Sequence, residues 1–148
     1  MNKIRMIALA ACMAATLDAS AQEQEIRLFS HRGGRMEHDE NTLSAFQASY
    51  DAGYRGFETD IRMTRDGALV ITHDSSLERT TDGTGTVEEK TEAEIRQLAT
   101  KQGNKMMFLD ELLEFLKGKE GLYVEFEMKT KPVELYPEER LHAYCDKL

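Results

Sequence analysis

The sequence predicts an α/β fold, and three stretches carry that prediction. Residues 26–30 (IRLFS) form a short predicted strand that runs into the glycine-containing turn HRGG. Residues 41–53 (NTLSAFQASYDAG) follow as an amphipathic helix with Asn41 expected at its N-cap. Residues 122–129 (LYVEFEMK) alternate between apolar and polar side chains, as a strand does. A strand, a loop and a helix in succession are the opening of an α/β unit.

Three further helices are predicted from capping residues and apolar periodicity. Thr91 and Glu94 form a capping box, and residues 109–118 (LDELLEFLKG) have the spacing of an amphipathic helix. Pro137 can begin a last helix, whose apolar side includes Cys145. We expect that cysteine to be buried as a small hydrophobic residue.

The first 21 residues have the features of a secretory signal peptide. A basic start precedes an apolar run over residues 6–17, and Ala-Ser-Ala precedes Gln22. The run is shorter than the about 20 residues that span a bilayer, so we expect export to the periplasm or the medium rather than a membrane anchor. The mature domain would then comprise residues 22–148. Cleavage as a lipoprotein at Cys12 is the alternative.

Length and charge limit the classes of partner. The 127 residues from 22 to 148 fit one domain, and the full sequence of 148 residues carries a formal net charge of −8. An acidic protein of this kind is not expected to bind nucleic acid.

Carboxylates occupy positions in predicted strands where apolar residues would be ordinary. Glu58 and Asp60 are two apart in FETDIRM, so their side chains point the same way. Adjacent carboxylates repel each other unless a cation, hydrogen-bond donors or protonation compensates. Glu125 and Glu127 repeat the spacing in LYVEFEMK, where Lys129 follows on the same side. Each strand taken alone is more often a solvated sheet face than a functional site.

The dipeptide Asp66-Gly67 predicts a tight hairpin after the first of these strands. A two-residue turn there would place His73 opposite Asp60, on the face of the carboxylates. A register one residue different would send the imidazole to the other face.

Seven short motifs follow one another between about Arg27 and Lys129, namely HRG, ENT, ETD, DG, HD, RTTDGTG and EMK. Together, in this order and spacing, they resemble the glycerophosphodiester phosphodiesterase family. Asp39 replaces the proline that usually precedes ENT, and Glu125 stands where an asparagine is common. The resemblance implies that Glu58, Asp60 and Glu127 bind a divalent cation, and their all-oxygen donor set suits Ca²⁺ or Mg²⁺.

The resemblance also implies roles for five other side chains. His31 and His73 would act as general acid and base, in either order, because an imidazole titrates near neutrality. Arg32 and Lys129 would bind the substrate phosphate, and Glu40 would orient Arg32 or His31. The implied reaction converts glycerophosphodiesters to sn-glycerol 3-phosphate and an alcohol. The alternatives are a phospholipase D-like lyase acting on lysolipids and an exported module that binds a phosphate ligand without turnover.

The implied fold is a (β/α)8 TIM barrel, which typically takes about 250 residues. The chain is therefore expected to form the N-terminal part of such a barrel. Barrel strands are parallel, so the hairpin at Asp66-Gly67 would be an irregular excursion that replaces a helix. Open strand edges would favour self-association, and we expect weak or no activity from this chain alone. No stable membrane span is expected.

Overall fold

Four strands and four α-helices make up the part of the chain that the computed structural model describes, residues 27–148. The signal peptide and Cys12 fall outside these residues, so export stays a prediction. The elements are β1 (Phe29–His31), α1 (Leu43–Asp51), β2 (Gly56–Met63), β3 (Leu69–Ile71), α2 (Glu92–Ile95), α3 (Leu109–Leu116), β4 (Tyr123–Met128) and α4 (Glu138–Cys145), with 3-10 turns at Val87–Glu89 and Val133–Leu135.

The four strands form one sheet in which β1 and β4 run parallel to β2 and β3 runs antiparallel to it. Phe57 of β2 is paired with Ser30 of β1 on one side and with Val124 of β4 on the other. α1 lies between β1 and β2 in the chain, and α3 precedes β4, so parallel strands are connected through helices. This arrangement agrees with the predicted start of a barrel.

The hairpin between β2 and β3 is present, but its register differs from the predicted one by one residue. Ile61 is paired with Ile71, and the N–H of Thr72 donates to the carbonyl of Asp60 at 3.0 Å. Thr72, not His73, therefore lies opposite Asp60. The prediction of a direct His73–Asp60 pair was wrong.

A threonine explains the shifted register. The hydroxyl of Thr64 accepts from the N–H of Ala68 at 2.8 Å and donates to Asp66 at 2.7 Å. The Thr64 N–H also donates to the Ala68 carbonyl at 2.9 Å. Thr64 and Ala68 thus close a three-residue loop, with Gly67 at φ 88°, instead of the expected two-residue turn.

The segment between β3 and α3, called the excursion below, packs around a small apolar cluster to which Val70 of β3 also contributes. Short turns and the four-residue helix α2 replace a long crossover helix here. The capping box of Thr91 and Glu94 is observed at the start of α2. The buried side chains are Val70, Leu77, Val87, Ile95, Met106 and Phe108.

A buried ion pair connects this excursion to β2. Arg62 donates to Glu88 at 2.6 Å, and both side chains are almost completely shielded from solvent. Glu88 also accepts from Ser75 and Tyr136, each at 2.6 Å. Arg62 in turn donates to the carbonyl of Lys131 at 2.8 Å. Four segments of the chain are thereby fixed around one carboxylate.

The main apolar core lies between the sheet and helices α1, α3 and α4. Phe46 and Phe57 meet edge to face, with ring centroids 5.6 Å apart. Tyr144 of α4 is fully buried and donates its hydroxyl proton to the carbonyl of Ile61. Cys145 is exposed, so its predicted burial was wrong. Successive helical residues point about 100° apart, and Tyr144 is the one that faces the core.

Apolar side chains remain exposed along the sheet. Tyr123 and Phe126 of β4 are 48% and 37% exposed, and Leu28 before β1 is 68% exposed. Such surface favours association, and self-association of the chain stays a prediction. Within residues 27–148, no helix has the length and apolarity needed to cross a membrane.

Candidate active site

Three carboxylates meet toward the carboxyl end of the parallel strands. Asp60 of β2 is paired with Glu127 of β4, and Glu58 lies two residues earlier on the same face of β2. One oxygen of each residue lies within 4.8 Å of those of the other two. Asp60 is fully buried, Glu58 is half-buried and Glu127 is exposed. The sequence-predicted triad is therefore assembled, because the parallel register of β2 and β4 aligns its members.

The triad fits a divalent cation in donor chemistry and in hydrogen bonding. Burial, and then the negative charge of Asp60, raise the pKa of Glu58 above its ordinary value. Asp60 Oδ1 is buried and contacts Lys129 Nζ at 2.9 Å, which leaves room for a second partner at this oxygen. A buried carboxylate oxygen with spare acceptor capacity in an all-oxygen anionic set suits Ca²⁺ or Mg²⁺.

Two cationic side chains border the triad. Arg32 Nε lies 3.2 Å from Asp60 Oδ2, and Lys129 Nζ lies 2.6 Å from Glu127 Oε1. Burial alone would lower the pKa of Lys129, but hydrogen bonds to Glu127 and Asp60 outweigh it and raise that pKa. Both cations are therefore placed to bind an anion beside the carboxylates.

Arg32 owes its position to the turn after β1. Its backbone has φ 54°, a left-handed conformation that is uncommon outside glycine. Its N–H donates to the carbonyl of Glu58 at 3.0 Å and also lies 3.1 Å from the Glu58 carboxylate. Its Nη1 donates to Glu40 Oε1 at 3.2 Å. Of the two predicted partners of Glu40, Arg32 is the one that it contacts.

His31 lies beside the triad at the end of β1. Its Nε2 is 3.5 Å from Glu58 Oε2, and half of its side chain is exposed. Burial, followed by the positive charges of Arg32 and Arg35, lowers the pKa of the imidazole. An imidazole that is partly accessible and next to the carboxylates can exchange protons with a bound ligand.

His73 reaches the same edge of β2 from the opposite direction. The N–H of Arg32 bonds to the Glu58 carbonyl and the N–H of Thr72 bonds to the Asp60 carbonyl, so the two attachment points are about 7 Å apart. The backbone of Thr72 and His73 therefore adjoins the stretch of β2 that carries Glu58 and Asp60, despite the shifted register. Its polar partners are the Asp74 carboxylate and the guanidinium of Arg62, which donates to the His73 carbonyl at 2.8 Å.

Comparison with known proteins places this site in a family. The model of the glycerophosphoryl diester phosphodiesterase family matches residues 31–146, which include every side chain described above. The chain belongs to this family. The match begins at the last residue of β1 and extends through α4, so it includes nearly all of the described fold.

Curated phosphodiesterases of this family are similar over different lengths. A glycerophosphodiester phosphodiesterase from Caldanaerobacter subterraneus is 37% identical over 123 residues, which are 77% of this chain and 50% of the relative. Human glycerophosphodiester phosphodiesterase 1 is 44% identical over 73 residues, which are 49% of this chain and 22% of the relative. The chain spans about half the length, or less, of these curated relatives.

Solved phosphodiesterase structures share the fold. A phosphodiesterase from Oleispira antarctica, in complex with the product sn-glycerol-3-phosphate, has a TM-score of 0.70 and 30% identity over 82% of this chain and 51% of its own. A structure from Silicibacter pomeroyi has a TM-score of 0.73 and 28% identity over 82% of this chain and 50% of its own. The chain thus has the α/β fold of the N-terminal part of the family's TIM barrel.

Asn41 is a residue of the site whose role could not be predicted from the sequence. The N-cap of α1 is Thr42, whose hydroxyl accepts from the N–H of Ala45 at 3.3 Å, so the predicted cap at Asn41 was wrong. Asn41 has φ 58° and donates from Nδ2 to Asp60 Oδ2 at 3.0 Å, while its Oδ1 accepts from Thr59. The Asn41 amide therefore fixes the orientation of the buried carboxylate. The ENT motif contains this residue but gives no sign of a partner 19 positions away.

Asn41→Gly is expected to lower Ca²⁺ affinity by about 10–100-fold, the usual cost of losing a hydrogen bond that orients a metal ligand. Glycine tolerates φ 58°, so the variant removes the amide without adding backbone strain. Isothermal titration calorimetry with CaCl2 measures the effect. Gln47→Ala, which removes an exposed amide from α1, is the matched control. Unchanged affinity in a folded Asn41→Gly chain would contradict the assignment.

Proposed function

We propose that the chain carries the site of a metal-dependent hydrolase that converts glycerophosphodiesters to sn-glycerol 3-phosphate and an alcohol. One observation carries the proposal: Glu58, Asp60 and Glu127 share one small volume that Arg32 and Lys129 border. Family membership supports the reaction class. The O. antarctica relative bound to sn-glycerol-3-phosphate supports the class of substrate.

The triad would hold Ca²⁺ or Mg²⁺. A bound divalent cation supplies a positive charge that polarises the phosphoryl group and stabilises a charge-rich transition state. Asp60 would be the best ordered ligand, because Asn41 and Arg32 both hold its Oδ2. Glu125 points to the same side of β4 but lies outside the triad.

Arg32 and Lys129 would bind the phosphate. The guanidinium of Arg32 is fixed by Glu40 and Asp60, so it offers a pre-oriented charge. The ammonium of Lys129 is a point charge on a flexible stem, so it can exchange a carboxylate partner for a phosphate oxygen. Binding of this kind orients the phosphodiester for in-line attack.

His31 and His73 would share the proton transfers. Water attacks phosphorus, and one imidazole takes the proton that the water loses. The bond between phosphorus and the alcohol oxygen breaks, and the other imidazole protonates the leaving alkoxide. His31 stands next to Glu58, and His73 stands at the adjoining edge of β2.

We also propose that the protein acts outside the cytoplasm. The support is the sequence of residues 1–21, with its basic start, apolar run and small residues before Gln22.

Incubation of the chain with glycerophosphocholine is expected to release sn-glycerol 3-phosphate slowly with CaCl2 or MgCl2, and not with EDTA. Phosphorus NMR identifies the product, and a cyclic phosphate would instead indicate the lyase. His31→Ala and His73→Ala should each reduce turnover by about 10²–10⁴-fold, the usual contribution of a general acid or base. His142→Ala, an exposed histidine of α4, is the control. Binding of glycerol 3-phosphate without turnover would favour a binding module.

A further inference from the structure

We propose that Asp74 and Arg79 are positioning residues that hold His73 in the tautomer with its proton on Nδ1. They also connect that imidazole to Arg32 through Glu40. The part of this proposal that concerns turnover rests on the proposed function. The tautomer is a property of the chain itself and is measured without substrate.

The contact between His73 and Asp74 defines the tautomer. His73 Nδ1 lies 2.6 Å from Asp74 Oδ1, and both side chains are about one quarter to one third exposed. Burial raises the pKa of Asp74, but hydrogen bonds from Arg79 and His73 outweigh it and lower that pKa to about 2. An ionised carboxylate can only accept, so Nδ1 must be the donor. Nε2 is then the ring nitrogen that can accept a proton from a ligand or return it.

Arg79 connects this carboxylate to a second one. Its Nε donates to Asp74 Oδ2, while Nη1 and Nη2 donate to the two oxygens of Glu40 at 2.9 and 2.7 Å. Only a planar guanidinium can satisfy both carboxylates at once, because its donors lie in a fixed fork. Hydrogen bonding by Arg79, the largest cause, also lowers the pKa of Glu40.

Glu40 completes the connection to the phosphate-binding side. Its Oε1 accepts from Arg32 Nη1 as well as from Arg79. Hydrogen-bond donors and acceptors therefore alternate from His73 through Asp74, Arg79 and Glu40 to Arg32, each in contact with the next. A substitution of Arg79 would therefore alter the hydrogen bonding around both the His73 imidazole and the Arg32 guanidinium.

The backbone that carries the network is anchored at both ends of the turn. The carbonyl of His73 accepts from Arg62, which is itself part of the buried ion pair. Leu77 is buried in the excursion, and its carbonyl accepts from both the N–H and the hydroxyl of Thr81. Arg79 projects from this closed turn, so its guanidinium starts from a fixed position.

The competing explanation is that the contacts of Arg79 with Asp74 and Glu40 are ordinary surface ion pairs without a function. Arg79 is half exposed, and exposed pairs typically contribute only about 0–1 kcal/mol to stability. Stability measurements therefore cannot separate the two explanations. The protonation pattern of the His73 ring can, because ordinary surface pairing does not require it to change when Asp74 is replaced.

The experiment is NMR of the full chain labelled with ¹⁵N-histidine, with long-range correlations that identify the protonated ring nitrogen. Spectra are recorded over a series of pH values, and those in which the ring signals no longer change with rising pH describe the neutral ring. The wild-type chain should show His73 protonated on Nδ1. Asp74→Asn should move the proton to Nε2, because an amide N–H can donate to Nδ1. The same substitution gives the wrong tautomer in the serine-protease triad. Arg79→Lys, which loses the fork, should give a mixture of both tautomers.

Asp82→Asn is the matched control, since this exposed carboxylate follows Arg79 in the same segment and accepts from the N–H of Ala99. It should leave the His73 spectrum unchanged. A wild-type ring protonated on Nε2, or no change in Asp74→Asn, overturns the proposal. No change in Arg79→Lys overturns the part that concerns Arg79.

Turnover provides the second readout. Asp74→Asn should lower kcat by about 10²–10⁴-fold, with KM little changed, because the residue acts through the proton-transferring imidazole. An unchanged kcat, or a loss expressed only in KM, contradicts the positioning role. Absence of turnover in the wild-type chain would count against the proposed function, and the tautomer result would then decide this proposal.

Discussion

Asp60→Asn is expected to reduce the affinity of the chain for Ca²⁺ by more than about 100-fold. Loss of a hydrogen bond that orients a metal ligand costs about 10–100-fold, and this substitution removes a charged ligand itself. Asp60 is the central member of the triad and is fully shielded from solvent. Calorimetric titration with CaCl2 measures the change, and circular dichroism verifies that the fold persists.

Glu127→Gln tests the same site without disturbing the core. Asp60→Asn leaves the cations of Arg32 and Lys129 beside a buried neutral amide, which also affects the stability of the fold. The side chain of Glu127 is exposed, so its replacement does not have this effect. We expect Glu127→Gln to weaken Ca²⁺ binding and Glu125→Gln, its neighbour on the same side of β4, to leave it unchanged. A larger loss in Glu125→Gln would show that the triad has been assigned to the wrong carboxylate.

Glu88→Ala should destabilise the chain by about 3–5 kcal/mol, because it leaves the cation of Arg62 buried without its partner. It also removes the acceptor of the hydroxyl protons of Ser75 and Tyr136. Urea unfolding measures the free energy. Glu89→Ala, the exposed neighbour, should change it by no more than about 0.5 kcal/mol. Equal effects of the two substitutions would contradict a structural role for the ion pair.

The pH dependence of the free energy of unfolding should contain a contribution from Glu88. Burial raises the pKa of Glu88, but hydrogen bonds from Ser75 and Tyr136, together with other favourable interactions, outweigh it and lower that pKa. The stabilisation is therefore present above the ordinary pKa of a glutamate and is lost as the pH falls through the lowered value. Glu88→Gln should make the free energy of unfolding less dependent on pH in this acidic range.

Local patterns predicted the parts of the fold that depend on nearby residues. The capping box at Thr91 and the apolar spacing of α3 are properties of single helices, and both are observed. The triad was predicted from the resemblance of the ETD and EMK motifs to those of the family, and strand alternation added only that Glu58 and Asp60 share one face. The structure adds the parallel register that pairs Asp60 with Glu127.

The predictions were wrong where a residue can hydrogen-bond either to a neighbour in sequence or to a distant part of the chain. Asn41 and Thr42 are both good N-caps, and only the contact with Asp60 shows why Asn41 is not the cap. The hairpin register depends on the hydroxyl of Thr64, which no dipeptide rule includes. Arg79 meets Glu40 across 39 positions of sequence, a distance over which periodicity carries no information.

The central position of β2 has a consequence for cooperativity. β1, β3 and β4 all form their ladders on this strand, and it supplies two members of the triad. Loss of β4 from the sheet would remove Glu127 from the triad, and unfolding of β2 would release Glu58 and Asp60, so the complete set of ligands exists only while the two strands are paired. An ion held by the triad would then stabilise the domain as a unit, so its occupancy and global unfolding would be thermodynamically linked.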